Sequence, residues 1–252
     1  MNQTQSIPWK RISVEAAAIV ASILLAFAID AWWDERNERI EEKEILQSLL
    51  VEFEINLDGA TSVIRTHEMA VQSMSSLMSL TDGEILALSD ADVEGYLRYF
   101  ANPRTFDAVR GSIDALTNSG KLGVLQSREL REALTAFINI LEDAIEDRQY
   151  MFEWSMIVWS EVAKNGGPYR RSPEGRTREE CMELPLELGC YISNSIAYLP
   201  AATPNDLLRL RNDSTLMGYV NQNKENSVRY ASEIWRAKRQ IETILELLGR
   251  AQ

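Results

Sequence analysis

Few side chains in this sequence are of the types that usually carry catalysis or hold a metal. Among its 252 residues there is one histidine, His67, and there are two cysteines, Cys181 and Cys190. So few nitrogen and sulfur ligands cannot build a histidine-rich zinc site or a four-cysteine cluster. No ligand partners are spaced to converge on His67. We therefore predict that His67 lies on the surface or caps a helix, and that the protein holds neither a metal nor a cofactor.

The two cysteines are the candidate disulfide. Eight residues separate Cys181 from Cys190, which is enough for a small loop to close between them. Outside the cytoplasm a disulfide is the expected state, whereas in the cytoplasm two free thiols are the default. Both alternatives remain open on the sequence alone.

Two clusters on one long predicted helix could bind a ligand. Glu142, Asp143, Glu146 and Asp147 form pairs four residues apart, a spacing that suits a cation but is more typical of a solvated face. The nearby aromatic residues Tyr150, Trp154 and Trp159 are more typical of a core than of a pocket. The less common alternative is a pocket for an anionic or amphipathic molecule.

Charge and motifs exclude several classes of function. The 38 acidic residues outnumber the 26 basic ones, which gives a net charge of −12 and argues against nucleic acid as a partner. The sequence contains no GxxxxGK[ST], GxSxG, HExxH or GxGxxG motif, and no nucleophile–base or metal constellation can be assembled from it. We therefore predict that the protein is not an enzyme.

An apolar segment near the N-terminus predicts a transmembrane helix over residues 12–33. Its 22 residues span about 33 Å as a helix, close to the roughly 30 Å of a hydrocarbon core. Trp9, Trp32 and Trp33 flank it, where aromatic belts occur. A cleaved signal peptide and a buried helix of a soluble protein are the competing interpretations.

Polar and small residues of this segment have their own interpretations. Glu15 and Asp30 lie near its two ends and are expected among the lipid headgroups, with a paired or proton-carrying role as the alternative. Small side chains permit a second helix to approach closely. The candidate helix-packing residues are Ala17, Ala21, Ser22 and Ala28.

Two features favour one topology, although the Lys/Arg counts on the two sides of the segment nearly tie. The short tail before the segment carries Lys10 and Arg11 without any acid, and Cys181 and Cys190 after it could form a disulfide. We expect a bacterial inner-membrane protein with residues 1–11 in the cytoplasm and residues 34–252 as a periplasmic domain. The tail is too short to hold an output domain.

The rest of the chain predicts an all-α fold, because apolar residues recur at helical spacing and no period-two run occurs. The expected architecture is a transmembrane helix continuous with a helical stalk, followed by an extracytoplasmic bundle with one long irregular loop. The first helix is expected to end near Asp58-Gly59. Later helices are expected over 60–80, 89–100, 105–119, 127–164 and from 204 to the C-terminus. Gly120 is expected to end the helix over 105–119, and Ser127 is expected to cap the helix over 127–164.

The loop over residues 166–204 differs in composition from the helices. It holds five of the seven prolines and both cysteines. Irregular stretches of this length within a compact domain are commonly functional. Its basic group makes it the candidate interaction loop, and the group comprises Arg170, Arg171, Arg176 and Arg178.

Two blocks of residues resemble a known family. Residues 30–39, DAWWDERNER, follow the apolar segment directly, and residues 112–122, SIDALTNSGKL, precede QSRELR at 126–131. Together they are similar to a family of uncharacterised bacterial single-pass membrane proteins and cover about residues 12–150. The resemblance implies an N-terminal transmembrane helix followed by a helical domain. That family has no assigned activity, so it implies no mechanism.

Two functions are compatible with these features. The first is a membrane-anchored accessory or assembly subunit, whose partners are the lipid bilayer and another membrane protein or a second copy of the chain. The alternative is a ligand-binding extracytoplasmic sensor that reports to a separate membrane partner.

Overall fold

The computed structural model describes residues 9–100, 104–164 and 202–251. These residues form seven α-helices and one 3₁₀ turn at Lys121–Val124, without a strand among them. The helices are α1 (Trp9–Ser79), α2 (Asp82–Leu86), α3 (Asp90–Phe100), α4 (Gly111–Asn118), α5 (Arg128–Lys164), α6 (Pro204–Asn212) and α7 (Ser214–Ala251). The predicted all-α class is confirmed.

Side chains that cap the helix starts explain several of these boundaries. Thr81, Ser89 and Thr203 each accept a hydrogen bond from the backbone of the acidic residue three positions later, and that residue's carboxylate accepts one in return. This reciprocal capping satisfies donors that a helix start otherwise leaves unpaired. At α5, the Leu130 N–H donates to Ser127 Oγ over 3.1 Å, so the predicted cap at Ser127 is confirmed.

A seven-residue repeat organises the three long helices. Buried positions alternate at spacings of three and four residues, which is the pattern of a left-handed coiled coil. On α1 these positions are Leu46, Leu49, Phe53, Asn56, Ala60, Val63, His67, Ala70, Met74 and Leu77. On α7 they are Leu216, Val220, Asn223, Ser227, Tyr230, Ile234, Ala237, Ile241, Ile244 and Leu248.

Contacts between the helices give their directions. The Gln126 N–H donates to a Glu42 carboxylate oxygen over 2.6 Å, so α5 begins beside the middle of α1 and runs parallel to it. Arg211 donates to the Leu80 carbonyl over 2.9 Å, which places the start of α7 beside the end of α1. Helix α7 therefore runs back antiparallel to both.

Two hydrophobic cores lie along this bundle. The proximal core, nearer the N-terminal apolar segment, joins α1, α4, α5 and α7 and includes a T-shaped contact between Phe53 and Phe137, with ring centroids 5.0 Å apart. The distal core joins the end of α1 to α2, α3, the end of α5, α6 and the start of α7. The three long helices α1, α5 and α7 therefore contribute to both cores.

The first part of α1 projects from the bundle. Its 71 residues make a rod of about 105 Å at 1.5 Å per residue. The apolar side chains between Ile19 and Trp33 are exposed by half or more. Near Glu41, whose carboxylate pairs with Lys121 over 2.6 Å, the helix joins the bundle. This one apolar N-terminal helix is long enough to span a membrane.

The predicted end of the first helix near Asp58-Gly59 is wrong. Helix α1 continues to Ser79 because neither residue belongs to the seven-residue repeat of buried positions. That repeat continues past them at Ala60 and Val63. Glycine in a helix interior costs about 1 kcal/mol, less than the burial that continuation provides. A Cβ at Gly59 would lie 3.4 Å from the Phe106 ring, so this position also admits a close approach.

Three further expectations on the helices need correction. Helix α4 begins at Gly111 rather than at residue 105, because residues 104–110 bond to side chains of other helices (see below). The C-terminal helical region is divided at Asp213, whose carboxylate accepts from the N–H groups of Thr215 and Leu216. The helical spacing of apolar residues also predicts that Ile145, Phe152, Met156, Val228 and Trp235 face the core, but these side chains are at least 44% exposed.

Candidate functional site

Buried polar side chains interrupt the apolar seam between α1 and α7. We call this group the polar seam, and it comprises Glu52, Asn56, His67, Ser155, Asn223 and Tyr230. Three of its six members, Asn56, His67 and Tyr230, bond to residues 104–110, the connecting segment, which lies between α3 and α4 without regular structure. Buried backbone groups need hydrogen-bonding partners, and the polar seam supplies them.

On α1, Asn56 bonds to the end of the connecting segment and Glu52 bonds to the start of α4. The Asn56 Nδ2 donates to the Val109 carbonyl over 2.8 Å, and its Oδ1 accepts from the Val109 N–H over 2.7 Å. The Glu52 carboxylate accepts from the N–H groups of Ser112 and Ile113. A carboxylate there caps the start of α4 and suits its dipole.

From α7, Tyr230 bonds to the connecting segment and Asn223 bonds to the last residue of α3. The Phe106 N–H donates to the Tyr230 hydroxyl over 2.8 Å, and burial raises the pKa of Tyr230. Asn223 Nδ2 donates to the Phe100 carbonyl over 2.9 Å, while its Oδ1 accepts from the Ser155 hydroxyl over 3.1 Å. The two helices therefore bind the connection from both sides.

His67 is buried, so the prediction of a surface or capping role is wrong. It occupies a seam position with 1% of its surface exposed, and its ring meets Tyr230 edge-on at 5.3 Å between centroids. Its Nε2 lies 2.9 Å from the Arg104 carbonyl oxygen. Since a carbonyl only accepts, Nε2 carries the hydrogen and Nδ1 carries the lone pair.

The protonation state of His67 follows from its surroundings. Burial lowers its pKa, an effect that the Arg104 carbonyl partly opposes. Near neutral pH the ring is therefore uncharged. Its Nδ1 is buried and has no hydrogen-bonding partner among the described residues. A buried acceptor without a partner is unusual and commonly has a reason in ligand binding or water.

A groove of about 550 Å³ lies directly over His67, between α1 and α7. We call it the α1/α7 groove. Its lining is mainly apolar, with polar and charged groups at the rim. The lining residues are Ile64, His67, Glu68, Val71, Gln72, Val228, Ala231, Ser232, Trp235 and Arg236.

The candidate helix-packing residues lie on the projecting part of α1. Ala17, Ala21 and Ala28 are exposed and share one face, because they are four and seven residues apart. The Ser22 hydroxyl donates to the Ala18 carbonyl over 2.8 Å, as such a serine is expected to do. This face is about 50 residues from the α1/α7 groove along the same helix.

The interaction loop and the candidate disulfide lie outside the described residues. This applies to Arg170, Arg171, Arg176 and Arg178, and also to Cys181 and Cys190. The predictions for them stay predictions.

The acidic and aromatic clusters on α5 are described. Glu142, Asp143 and Glu146 are exposed, and the described residues contain no group of three or more His, Cys, Asp or Glu placed to hold a metal. Tyr150 is exposed, so the core interpretation is wrong for it, whereas Trp154 packs against Tyr219 with centroids 6.0 Å apart.

The sequence analysis did not predict the polar seam, although the spacing of residues on α1 contains a signal for part of it. The alternation of three and four residues runs unbroken from Leu46 to Leu77 and passes through Asn56 and His67. A strict count of this repeat would have placed both in the interior. Only the choice of their partners in the connecting segment requires the folded structure.

Comparisons with protein-family models, with curated proteins and with solved structures find no match. The resemblance carried by residues 30–39 and 112–131 therefore stays a prediction. The function has to be argued from the residues and their geometry.

Proposed function

We propose that this protein is a non-enzymatic accessory or assembly subunit that α1 anchors in a bacterial inner membrane. The observation that carries the proposal is the continuity of α1. One unbroken helix bears the exposed apolar segment and then contributes to both hydrophobic cores. A partner that holds the segment in the bilayer would therefore position the entire bundle.

The short distance between the apolar segment and the bundle supports a role for the bundle close to the membrane surface. Glu41, where α1 joins the bundle, follows Trp33 by eight positions. They correspond to about 12 Å of helix, roughly twice the thickness of one headgroup layer. The proximal end of the bundle would then lie just outside the headgroups, beside the extramembrane surface of any partner in the bilayer.

The acid-free tail with Lys10 and Arg11, together with the possible disulfide between Cys181 and Cys190, supports a cytoplasmic N-terminus and a periplasmic bundle. Separate Ser6→Cys and Ser48→Cys variants test this topology in intact cells with a membrane-impermeant thiol reagent. We expect Ser48→Cys to react and Ser6→Cys to stay unlabelled. The reverse pattern would overturn the topology.

The partner is expected to be another membrane protein or a second copy, packed on the face of Ala17, Ala21 and Ala28. Leucine at Ala17 and Ala21 keeps the segment apolar but prevents close helix approach. Ala26→Leu is the matched control, since Ala26 lies half a turn around the helix from Ala17.

Native mass spectrometry of the full chain in mild detergent measures the outcome. We expect the wild type and Ala26→Leu to carry one partner at fixed stoichiometry, and the double variant to lose it. Charge reversal of the four loop arginines tests the second candidate surface in the same way. If both sets of changes leave every bound partner at normal stoichiometry, the proposal fails.

A further inference from the structure

We propose that the α1/α7 groove binds a small neutral molecule with a flat apolar body and one hydroxyl or N–H group, whose hydrogen is accepted by His67 Nδ1. The site itself does not depend on the proposed function, because it concerns a different part of the chain; only the source of the ligand rests on the proposed location of the apolar segment in a bilayer. Such a molecule would be a ligand for the alternative function as a sensor.

His67 is among the residues that line the groove and is 1% exposed, so it lies at the base of the groove. The Arg104 carbonyl fixes the tautomer of His67 through the bond to Nε2, and the edge-on contact with Tyr230 fixes the plane of the ring. Nδ1 is thereby left as a lone pair without a partner among the described residues. An unpaired buried acceptor costs free energy that a ligand donor would recover.

The walls of the groove are apolar and remain partly open. Trp235 and Val228 on α7 are 54% and 44% exposed, although both line the groove. Ile64 and Val71 face them from α1. An indole wall favours a flat ring, because aromatic pairs gain from stacked or edge-on contact beyond the area they bury.

Size and charge narrow the class of ligand. The groove volume of about 550 Å³ lies within the range of roughly 300–1,000 Å³ that small-molecule sites occupy. The rim carries both signs, with Glu68 on α1 and Arg236 on α7, and Arg236 already pairs with Glu233 over 2.6 Å. Neither sign dominates, so the site suits an uncharged molecule.

The position of the groove indicates that the ligand comes from solution. Ile64 follows Trp33 by 31 residues, which is about 46 Å along α1. A lipid that stays in a bilayer around the apolar segment cannot reach this site. Small phenols and other aromatic alcohols or amines meet every requirement.

A pair of fluorinated fragments tests the proposal. 4-Fluorophenol carries the hydroxyl donor, and 4-fluoroanisole is the same ring with the donor replaced by a methyl ether. Fluorine NMR line broadening with the full chain in nanodiscs, with empty nanodiscs as the blank, reports binding of each probe. We expect saturable binding of 4-fluorophenol and about tenfold weaker binding of 4-fluoroanisole, as one lost hydrogen bond predicts.

Variants locate the site. Trp235→Ala is expected to weaken 4-fluorophenol binding about tenfold, whereas Phe152→Ala, equally exposed but on α5, is expected to leave it unchanged. His67→Phe keeps an aromatic ring against Tyr230 and should abolish the preference for the phenol. Equal affinity for both probes, no binding above the blank, or an unaltered affinity in Trp235→Ala would each overturn the proposal.

Discussion

Replacing Tyr230 by phenylalanine removes one oxygen atom from the polar seam and keeps the aromatic ring. That oxygen accepts the Phe106 N–H over 2.8 Å, and the whole Tyr230 side chain is buried. In the variant, the ring still packs in the proximal core and against His67. The change therefore isolates the bond that holds the start of the connecting segment.

The magnitude follows from the group left behind. A buried donor that loses its partner costs about 1–3 kcal/mol. For a domain of this size each kcal/mol lowers the unfolding midpoint by about 2–4 °C. At the level of local opening, the same free energy corresponds to roughly 5- to 150-fold faster exchange of the Phe106 amide hydrogen.

Amide hydrogen exchange of the full chain, together with its thermal unfolding, measures both effects. We expect the loss of protection to centre on Phe106 and its neighbours in the connecting segment. Tyr150→Phe is the matched control, because Tyr150 is 57% exposed and its change should leave both readouts unaltered. Unchanged exchange at Phe106 and an unchanged unfolding midpoint in Tyr230→Phe would refute the role of the seam as a partner of this backbone.

Three further substitutions have expected effects on thermal unfolding. Gly120→Ala should cost about 1 kcal/mol, because Gly120 has a φ of 71° with open space around it, whereas Gly123→Ala at an ordinary φ should change little. Phe137→Ala should cost about 3–5 kcal/mol, because Phe137 is fully buried, whereas the half-exposed Phe152→Ala should stay within about 0.5 kcal/mol. Burial lowers the pKa of His67 from 6.5, so the folded protein binds this proton less readily than the unfolded chain. The neutral ring therefore contributes its full stabilisation above pH 6.5, and this stabilisation is lost as the pH falls below that value. His67→Phe should make the unfolding midpoint fall less steeply below pH 6.5.

Local signals in the sequence were sufficient to predict the all-α fold class and many of the helix ends. Ser127 and Thr203-Pro204 start helices where their chemistry predicts, and Gly120 adopts the positive φ that ends one. Such features act within one turn of the chain, so sequence reasoning can find them. The apolar N-terminal segment is recognisable for the same reason.

Errors arose where distant parts of the chain decide the outcome. Residues 105–110 have helical character as a sequence, but their backbone groups bond to Asn56 and Tyr230 instead of to each other. Tertiary partners here outweigh local propensity. The burial of His67 is a different kind of error, because the repeat along α1 can be counted in the sequence and places its position in the interior.

The polar seam also fixes the register of the bundle. Seven-residue repeats on α1 and α7 permit packing that is displaced by one repeat, about 10.5 Å along the axis. The connecting segment can follow only one of the two helices, so such a displacement would separate either Asn56 from Val109 or Tyr230 from Phe106 and would leave buried polar groups unpaired. Purely apolar residues at these positions would not discriminate between registers in this way. Because α1 is unbroken, the register in turn fixes the distance between the apolar segment and the α1/α7 groove, so a ligand in that groove would stay at a constant distance from this segment.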